Sequence, residues 1–132
     1  MDRIAVVDDQ KLMRESIADA LGGDRFEVAA FAGAQEALQA LMEREFDLVI
    51  TDLKMPKMTG LELLSKAADV APGMPVVVIT AHGTVESAVD AMKRGAFDYI
   101  SKPFNPDELD VVVRKALEHK KLLRENEILR SR

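Results

Sequence analysis

Short apolar runs alternate with segments of helical periodicity along the chain. Five runs, several rich in β-branched residues, predict strands that are buried along their length. Each is followed by a segment in which apolar residues recur at helical spacing, which predicts an amphipathic helix. The predicted strands cover residues 4–7, 26–31, 47–51, 75–80 and 96–100. The predicted helices cover residues 10–21, 33–45, 60–70, 84–94 and a last segment that begins at 106.

Continuously apolar strands are typical of a parallel sheet that is covered by helices on both faces. The fold class is therefore predicted to be α/β, with a doubly wound arrangement. The second strand is interrupted by Glu27, which predicts a position nearer to an edge of the sheet.

The predicted helix ends carry residues with known end preferences. Gly22-Gly23 ends the first helix and Gly95 ends the fourth. Thr84, with Ser87 close behind, can cap the start of the fourth helix. The last helix opens on Asn105-Pro106, with Asn at the capping position and Pro at the first helical position.

Polar residues are concentrated where the predicted strands end. The stretch Leu48–Gly60 begins with a predicted buried strand that ends in Asp52, and a loop with Pro and Gly follows. Asp8 and Asp9 follow the first strand, Thr80 ends the fourth, and Lys102 follows the fifth. Because parallel strands end at the same edge of a sheet, and ligands bind at that edge in open α/β folds, these residues are candidates for one site.

Three carboxylates at one edge repel one another unless a hard cation lies among them. Carboxylate oxygens suit Mg²⁺, which usually shares its coordination with water and phosphate. Lys102 supplies a compact positive charge for an anion, and the Thr80 hydroxyl can donate a hydrogen bond to it. The combination predicts a metal-assisted pocket in which a carboxylate oxygen attacks phosphorus.

Each of these residues also has a simpler interpretation. Asp9 precedes a helix and can be its N-cap, Thr80 can be an ordinary strand end, and Lys102 can be a solvated loop charge. The convergence of five such residues under one topology favours the site.

Composition narrows the function further. The 132 residues suffice for one core, and the absence of Cys excludes disulfides and thiol chemistry. The net charge of −5, with one Tyr and no Trp, argues against nucleic-acid binding by this chain alone. No signal-peptide pattern and no membrane-spanning apolar run is present, so we expect a cytoplasmic protein without membrane contact.

Four segments in this order carry a resemblance to a known family. They are Val6–Asp9, Asp52–Pro56 continuing to Gly60, Val78–Ala81, and Lys102–Phe104. With them, residues 3–118 resemble the receiver domain of response regulators, the CheY-like domain of two-component systems. The resemblance implies a flavodoxin-like (βα)5 sandwich with a five-stranded parallel sheet in the order 2-1-3-4-5.

The resemblance also implies the roles of the acidic residues. Asp52 would accept a phosphoryl group from a sensor histidine kinase. Asp9 would bind Mg²⁺ directly and Asp8 largely through water, with Asp52 and the main-chain carbonyl of Lys54 completing the metal site. The family switches state without turning over an external substrate, so the expected activity is self-dephosphorylation and not that of an enzyme.

Other residues would read out the phosphorylated state. The resemblance implies that Thr80 moves to the phosphoryl oxygens, that Lys102 pairs with them, and that Tyr99 is an aromatic switch residue. For Tyr99, simple packing on the strand is an equal alternative. Lys54 and His82 would adjust dephosphorylation, although His82 is more readily an exposed loop residue. The signal would leave through the fourth helix, fifth strand and fifth helix.

The last helix is predicted to run beyond the receiver domain. We expect a receiver domain at residues 1–118 and a helical linker or dimerisation extension at 119–132. Leu122, Asn126 and Leu129 fit heptad positions d, a and d of a parallel dimer. The extension resembles the helix that follows the receiver in NtrC-type enhancer-binding transcription activators, which implies a homodimer and a covalently linked output domain outside this chain. The alternative is a solvated linker whose leucines fold back on the domain.

Two other functions stay open at this stage. One is a free-standing single-domain regulator that binds a separate target protein. The other is a Mg²⁺-dependent phosphatase-like enzyme of similar fold, which is disfavoured because Lys54 stands two residues after Asp52, where that class usually has an acid/base Asp.

Overall fold

The computed structural model describes residues 1–22, 24–80 and 85–130, and at positions 85, 124 and 126–130 it describes the main chain alone. The strands are β1 (Asp2–Val7), β2 (Phe26–Phe31), β3 (Leu48–Asp52), β4 (Val76–Thr80) and β5 (Asp98–Ser101). The helices are α1 (Lys11–Leu21), α2 (Ala34–Glu43), α3 (Gly60–Val70), α4 (Val85–Lys93) and α5 (Pro106–Arg130). Strands and helices alternate without exception among these elements, as predicted.

The five strands form one parallel sheet in the order β2-β1-β3-β4-β5. This confirms both the predicted fold class and the predicted strand order. The central strands β3 and β4 are buried at every residue, whereas β2, which carries Glu27, is an edge strand with no fully buried position. The polar interruption in β2 thus corresponds to an edge position, where side chains are partly exposed.

Alternate residues of each strand pack into two apolar cores, one on each face of the sheet. In β1, Ala5 and Val7 face the layer of α2, α3 and α4, while Ile4 and Val6 face α1 and α5. Successive side chains of a strand point to opposite faces, so a continuously apolar strand must be covered on both sides.

The helix ends agree with the residues that predicted them. The Asn105 side chain accepts a hydrogen bond from the Glu108 amide at 2.7 Å, with Pro106 as the first helical residue. Gly22 and Gly95 have φ angles of 72° and 104°, in the left-handed region that glycine adopts without strain. The predicted cap at Thr84 lies outside the described residues.

Element boundaries differ from the predictions by a few residues. β3 covers Leu48–Asp52 and not 47–51; its last residue is Asp52, as predicted, and the main chain of this residue pairs with Ile79 of β4. β5 starts at Asp98 and not at Ala96, which precedes the pairing with β4. None of the helices among residues 1–22, 24–80 and 85–130 is long and apolar enough to cross a membrane.

An ion-pair cluster joins the end of α1 to α5. The Asp110 carboxylate lies 2.8 Å from both Arg25 and Arg114. Arg25 also donates two hydrogen bonds to the carbonyl of Leu21, the last residue of α1. The hydrogen bond from Arg25, helped by the charge of Arg114, holds the pKa of the Asp110 carboxyl below its ordinary value although burial opposes this. The cluster therefore stabilises the packing of α1 against α5.

Replacing Asp110 with Asn is expected to lower the free energy of unfolding at neutral pH by about 1 kcal/mol, because both arginines lose their charged partner. A depressed pKa stabilises the fold above the ordinary value of 3.8, and this contribution is lost as the pH falls through the lower folded value. Urea unfolding of both proteins across this range should show a difference that shrinks in acid. Asp69→Asn, at an exposed position of α3, is the control. A difference that does not change with pH contradicts this account.

Candidate functional site

The parallel sheet brings the predicted site residues to one cleft at the carboxyl ends of its strands. Asp52 and Thr80 are the last residues of β3 and β4, and Lys102 directly follows β5. Asp8 directly follows β1 and is buried behind the cleft. The cleft has a volume of about 210 Å³. Its lining comprises Asp9, Gln10, Asp52, Leu53, Lys54, Thr80, Ser87 and Lys102.

The three predicted carboxylates form a cluster. One oxygen from each of Asp8, Asp9 and Asp52 lies within 4.8 Å of the others. Asp8 is fully buried, and its Oδ1 accepts a hydrogen bond from the Gln10 amide at 2.9 Å. Its Oδ2 is buried without a hydrogen-bond partner in the described part of the chain. Asp9 is exposed, and the N-cap position of α1 is Gln10, so Asp9 does not act as the helix cap.

Burial raises the pKa of the Asp8 carboxyl, and the charges of Asp52 and Asp9 add to this effect. The Gln10 amide and the Lys102 ammonium oppose it. The cluster offers oxygen atoms as metal ligands, and within the described residues the buried Asp8 Oδ2 accepts no hydrogen bond. These properties fit a hard divalent cation such as Mg²⁺, which would replace the missing positive charge.

Lys102 is the cation nearest to the cluster among the described residues. Its Nζ lies 3.5 Å from Asp52 Oδ2 and 3.9 Å from Asp8 Oδ2. Its main-chain amide donates to the Thr80 carbonyl at 2.8 Å, which fixes the start of the loop after β5 beside the end of β4. The Lys102–Pro103 peptide bond is cis. A single lysine therefore faces an excess of negative charge and is placed at the side of the cleft where an anion can bind.

The hydroxyl and aromatic candidates both lie along the β4–β5 pair. Thr80 is buried, and its hydroxyl lies 3.5 Å from that of Ser101, with either able to donate. Tyr99 stands on β5 opposite Val78 and is 45% exposed. The structure thus places Thr80 at the cleft and Tyr99 at the surface of the same strand pair. His82 lies outside the described residues.

The loop after β3 holds Asp52 through main-chain contacts that the sequence alone did not reveal. The Lys54 amide lies 3.4 Å from Asp52 Oδ1, and the Thr51 hydroxyl donates to the Asp52 carbonyl at 2.9 Å. The Gly60 amide donates to the Leu53 carbonyl at 3.0 Å, which closes the loop. A Cβ at Gly60 would collide with the Asp52 carbonyl oxygen and would lie 2.8 Å from Leu53 Cα. The glycine allows α3 to begin directly against the end of β3.

Three other contributors were not predicted as site residues. The Arg14 guanidinium donates to the Asp8 carbonyl at 2.8 Å, Ser101 contacts Thr80, and Ser87 lines the cleft from α4. In the sequence, Arg14 follows the end of β1 and Ser87 follows the end of β4, each by several residues. Their spacing carries no signal of the site, because only the packing of α1 and α4 brings them close.

Comparison with known proteins identifies the family. A model of the response regulator receiver domain matches residues 4–114 of this chain. The chain belongs to this family.

Relatives of this receiver domain include regulators of transcription. It is 41% identical over 131 residues to an NtrX-like response regulator of Rickettsia bellii, with 98% of this chain and 27% of that protein covered. It is 39% identical over 114 residues to the DNA-binding transcriptional regulator NtrC of Escherichia coli, with 86% of this chain and 24% of that protein covered. The crystal structure of NtrX from Brucella abortus in complex with ADP superposes with a TM-score of 0.92 at 39% identity, with 98% of this chain and 30% of that one covered.

The receiver domain thus spans about a quarter of the length of the curated relatives that it matches. The resemblance inferred from four short segments is confirmed at the level of the family and the fold. Receiver domains are signalling domains and not conventional enzymes, and the relatives combine such a domain with further sequence.

Gly60→Ala is expected to lower the free energy of unfolding by about 1–3 kcal/mol, because the added methyl group must displace main chain at Asp52 and Leu53. Gly33→Ala is the matched control. There the Cβ would meet only the end of the flexible Glu36 side chain, at 3.3 Å, and φ is −149°. Chemical denaturation of both variants should show the larger loss at Gly60. Equal losses mean that the close approach at Gly60 is not what the fold requires.

Asp8→Asn is expected to raise the unfolding midpoint at neutral pH when no divalent metal is present. A raised pKa means that the charged Asp8 opposes folding at pH values above it, and Asn removes that charge while keeping an acceptor for Gln10. The gain should disappear as the pH is lowered and Asp8 takes up its proton. Asp9→Asn, at the exposed member of the cluster, should give a smaller gain in the same urea titrations. Destabilisation by Asp8→Asn would refute this assignment of the repulsion.

Proposed function

We propose that the receiver domain is a phosphorylation switch that accepts a phosphoryl group on Asp52 from a sensor histidine kinase. The observation that carries this proposal is the position of the Asp52 carboxylate, which lines the cleft and lies 3.5 Å from Lys102. Asp8 is enclosed and does not line the cleft, and Asp9 is an exposed residue at its rim. Of the three carboxylates, Asp52 is the one that combines access from the cleft with a neighbouring cation.

The chemistry is attack of an Asp52 carboxylate oxygen on the phosphorus of a phosphohistidine. The new P–O bond forms as the P–N bond breaks, and the bonding electron pair returns to the imidazole nitrogen of the kinase. Lys102 neutralises charge on the phosphoryl oxygens, and the Thr80 hydroxyl donates a hydrogen bond to one of them. Lys54 and His82 would influence how quickly water removes the group again in self-dephosphorylation.

We propose Mg²⁺ as the cofactor of this site. Asp8, Asp9, Asp52 and the main-chain carbonyl of Lys54 would hold it. When bound, the ion would supply positive charge that offsets the negative charge of the carboxylates and of the phosphoryl oxygens. The buried Asp8 Oδ2, which has no hydrogen-bond partner among the residues that the structure describes, supports this assignment.

Phosphorylation would change the surface formed by α4, β5 and α5. The phosphoryl group adds charge and acceptor oxygens, and it competes for Thr80, whose hydroxyl now lies near Ser101. Movement of Thr80 frees space beside β5, and Tyr99, which is 45% exposed, would turn inward. Four apolar side chains of this surface are exposed and available for a new contact: Val89, Met92, Tyr99 and Val111.

The output would be a covalently linked domain that acts in transcription, controlled through a homodimer in the cytoplasm. The relatives named NtrX-like and NtrC are about four times as long as the matched region, which supports an attached domain. The α5 helix extends to Arg130, which supports a linker helix, whereas the side chains of Asn126 and Leu129 lie outside the described residues. A free-standing regulator that binds a separate target is the alternative.

Asp52→Asn is expected to abolish phosphoryl uptake from a small acyl phosphate with Mg²⁺, measured as the mass of one phosphoryl group per chain. Asp69→Asn, an equal change at an exposed position, should behave as wild type. Sedimentation of the same samples should show a change of association state for wild type and Asp69→Asn but not for Asp52→Asn. Absence of uptake by wild type would refute the proposed function. Uptake without a change in association would refute the dimer. Repeated consumption of the acyl phosphate while Asp52 carries no phosphoryl group would indicate an enzyme.

A further inference from the structure

The last helix remains in contact with the receiver body for about two turns after its final fully buried residue. That residue is Ala116, judged over the side chains of α5 that the structure describes, and the helix continues without a break. Over residues 118–123 it passes the opposite edge of the sheet from the cleft, where β3 and β4 begin. Two side chains of this segment, Lys120 and His119, contact two different loops of the domain.

The first contact is made by Lys120. Its ammonium donates to the Phe46 carbonyl at 3.0 Å and to Asp47 Oδ1 at 2.9 Å, and Glu45 Oε1 lies 4.0 Å away. The side chain is only 14% exposed, which is unusual for a lysine. The other oxygen of Asp47 accepts a hydrogen bond from the Arg3 amide at 2.8 Å. Lys120 is therefore bound to the main chain and to a carboxylate that are themselves anchored to β1 and β3.

The second contact is made by His119. Its ring lies 5.3 Å from that of Phe97, at an angle of 46°, in the loop between α4 and β5. Leu123, one turn further on, lines the two grooves on either side of the loop 71–74 between α3 and β4. The same helical turn is thus held at the α2–β3 loop and at the α4–β5 loop.

These contacts fix the rotation of the helix about its own axis. Successive residues of an α-helix are about 100° apart, so His119, Lys120 and Leu123 fall within about 100° of one another and face the body. Leu122 lies to one side of this arc and is 58% exposed. Lys121 points away from Leu123 and is also exposed. The face with His119, Lys120 and Leu123 makes the contacts with the domain, with Lys120 its most buried member and His119 and Leu123 still exposed, and Leu122 lies outside this face.

We propose that His119 and Lys120 form a two-point clamp that belongs to the receiver domain and sets the direction in which the rest of α5 leaves it. The boundary between domain and linker then lies after Leu123, about one turn beyond the end of the receiver expected from sequence. The clamp determines which side of the outgoing helix presents Leu122. Its contacts are made in the unphosphorylated protein and include no residue of the cleft.

The clamp can be tested by measuring the direction of the helix. The chain contains no cysteine, so spin labels can be attached at Gln35→Cys on α2 and Glu125→Cys on α5, both exposed positions. Double electron–electron resonance on the wild-type background should give one narrow distance distribution. Lys120→Met, which keeps the apolar stem and removes the ammonium, should broaden it. Amide hydrogen exchange at residues 119–123 should accelerate by about tenfold as the turn detaches.

Lys121→Met is the matched control, because it makes the same change of charge on the next residue of the helix. It should leave both measurements at the wild-type values. His119→Ala tests the second contact in the same way, with its exposed neighbour Glu118→Ala as the control. Melting curves establish that each variant is folded. The proposal is overturned if Lys120→Met and His119→Ala retain the narrow distribution, or if Lys121→Met broadens it equally.

Discussion

Coverage of the parallel sheet on both faces is the constraint on which the rest of this structure depends. With apolar side chains directed into both helix layers, charged groups on the strands can be accommodated only toward the strand ends. Parallel strands all end at the same edge. Asp8, Asp52, Thr80 and Lys102 are therefore close together although about 20 to 50 residues separate successive members in sequence. The cleft is a direct consequence of the arrangement that forms the core.

The cleft carries more negative than positive charge, which suits a reversible switch. Three carboxylates face Lys102, and the most buried of them has an oxygen without a hydrogen-bond donor in the described part of the protein. Such repulsion lowers stability, and any bound cation that relieves it binds the folded state in preference to the unfolded one. The contact of Thr80 with Ser101 is a single long hydrogen bond, so a stronger acceptor nearby can displace it.

The acidic cleft and the contacts of the outgoing helix lie at opposite ends of the parallel strands. The carboxyl edge holds the acidic cleft, while the amino edge of β3 holds Lys120 of the outgoing helix through Phe46 and Asp47. The loop between α4 and β5 connects the two regions. It bears Phe97, which contacts His119, and it precedes the strand that carries Tyr99. A rearrangement of α4 and β5 would therefore reach the helix through a packed contact.

The sequence by itself determined the alternation of strands and helices and the polar residues at the strand ends. Strand and helix identity followed from local periodicity, and Asp52, Thr80 and Lys102 located the ends of β3, β4 and β5 to within one or two residues. The strand order was an implication of the family resemblance. Only the tertiary structure decided which side chains complete the site and the clamp, because contacts such as Arg14 with Asp8 and Lys120 with Asp47 depend on how helices pack on the sheet. Helical packing brings together residues that no local pattern relates, so those contacts carry no signal along the chain.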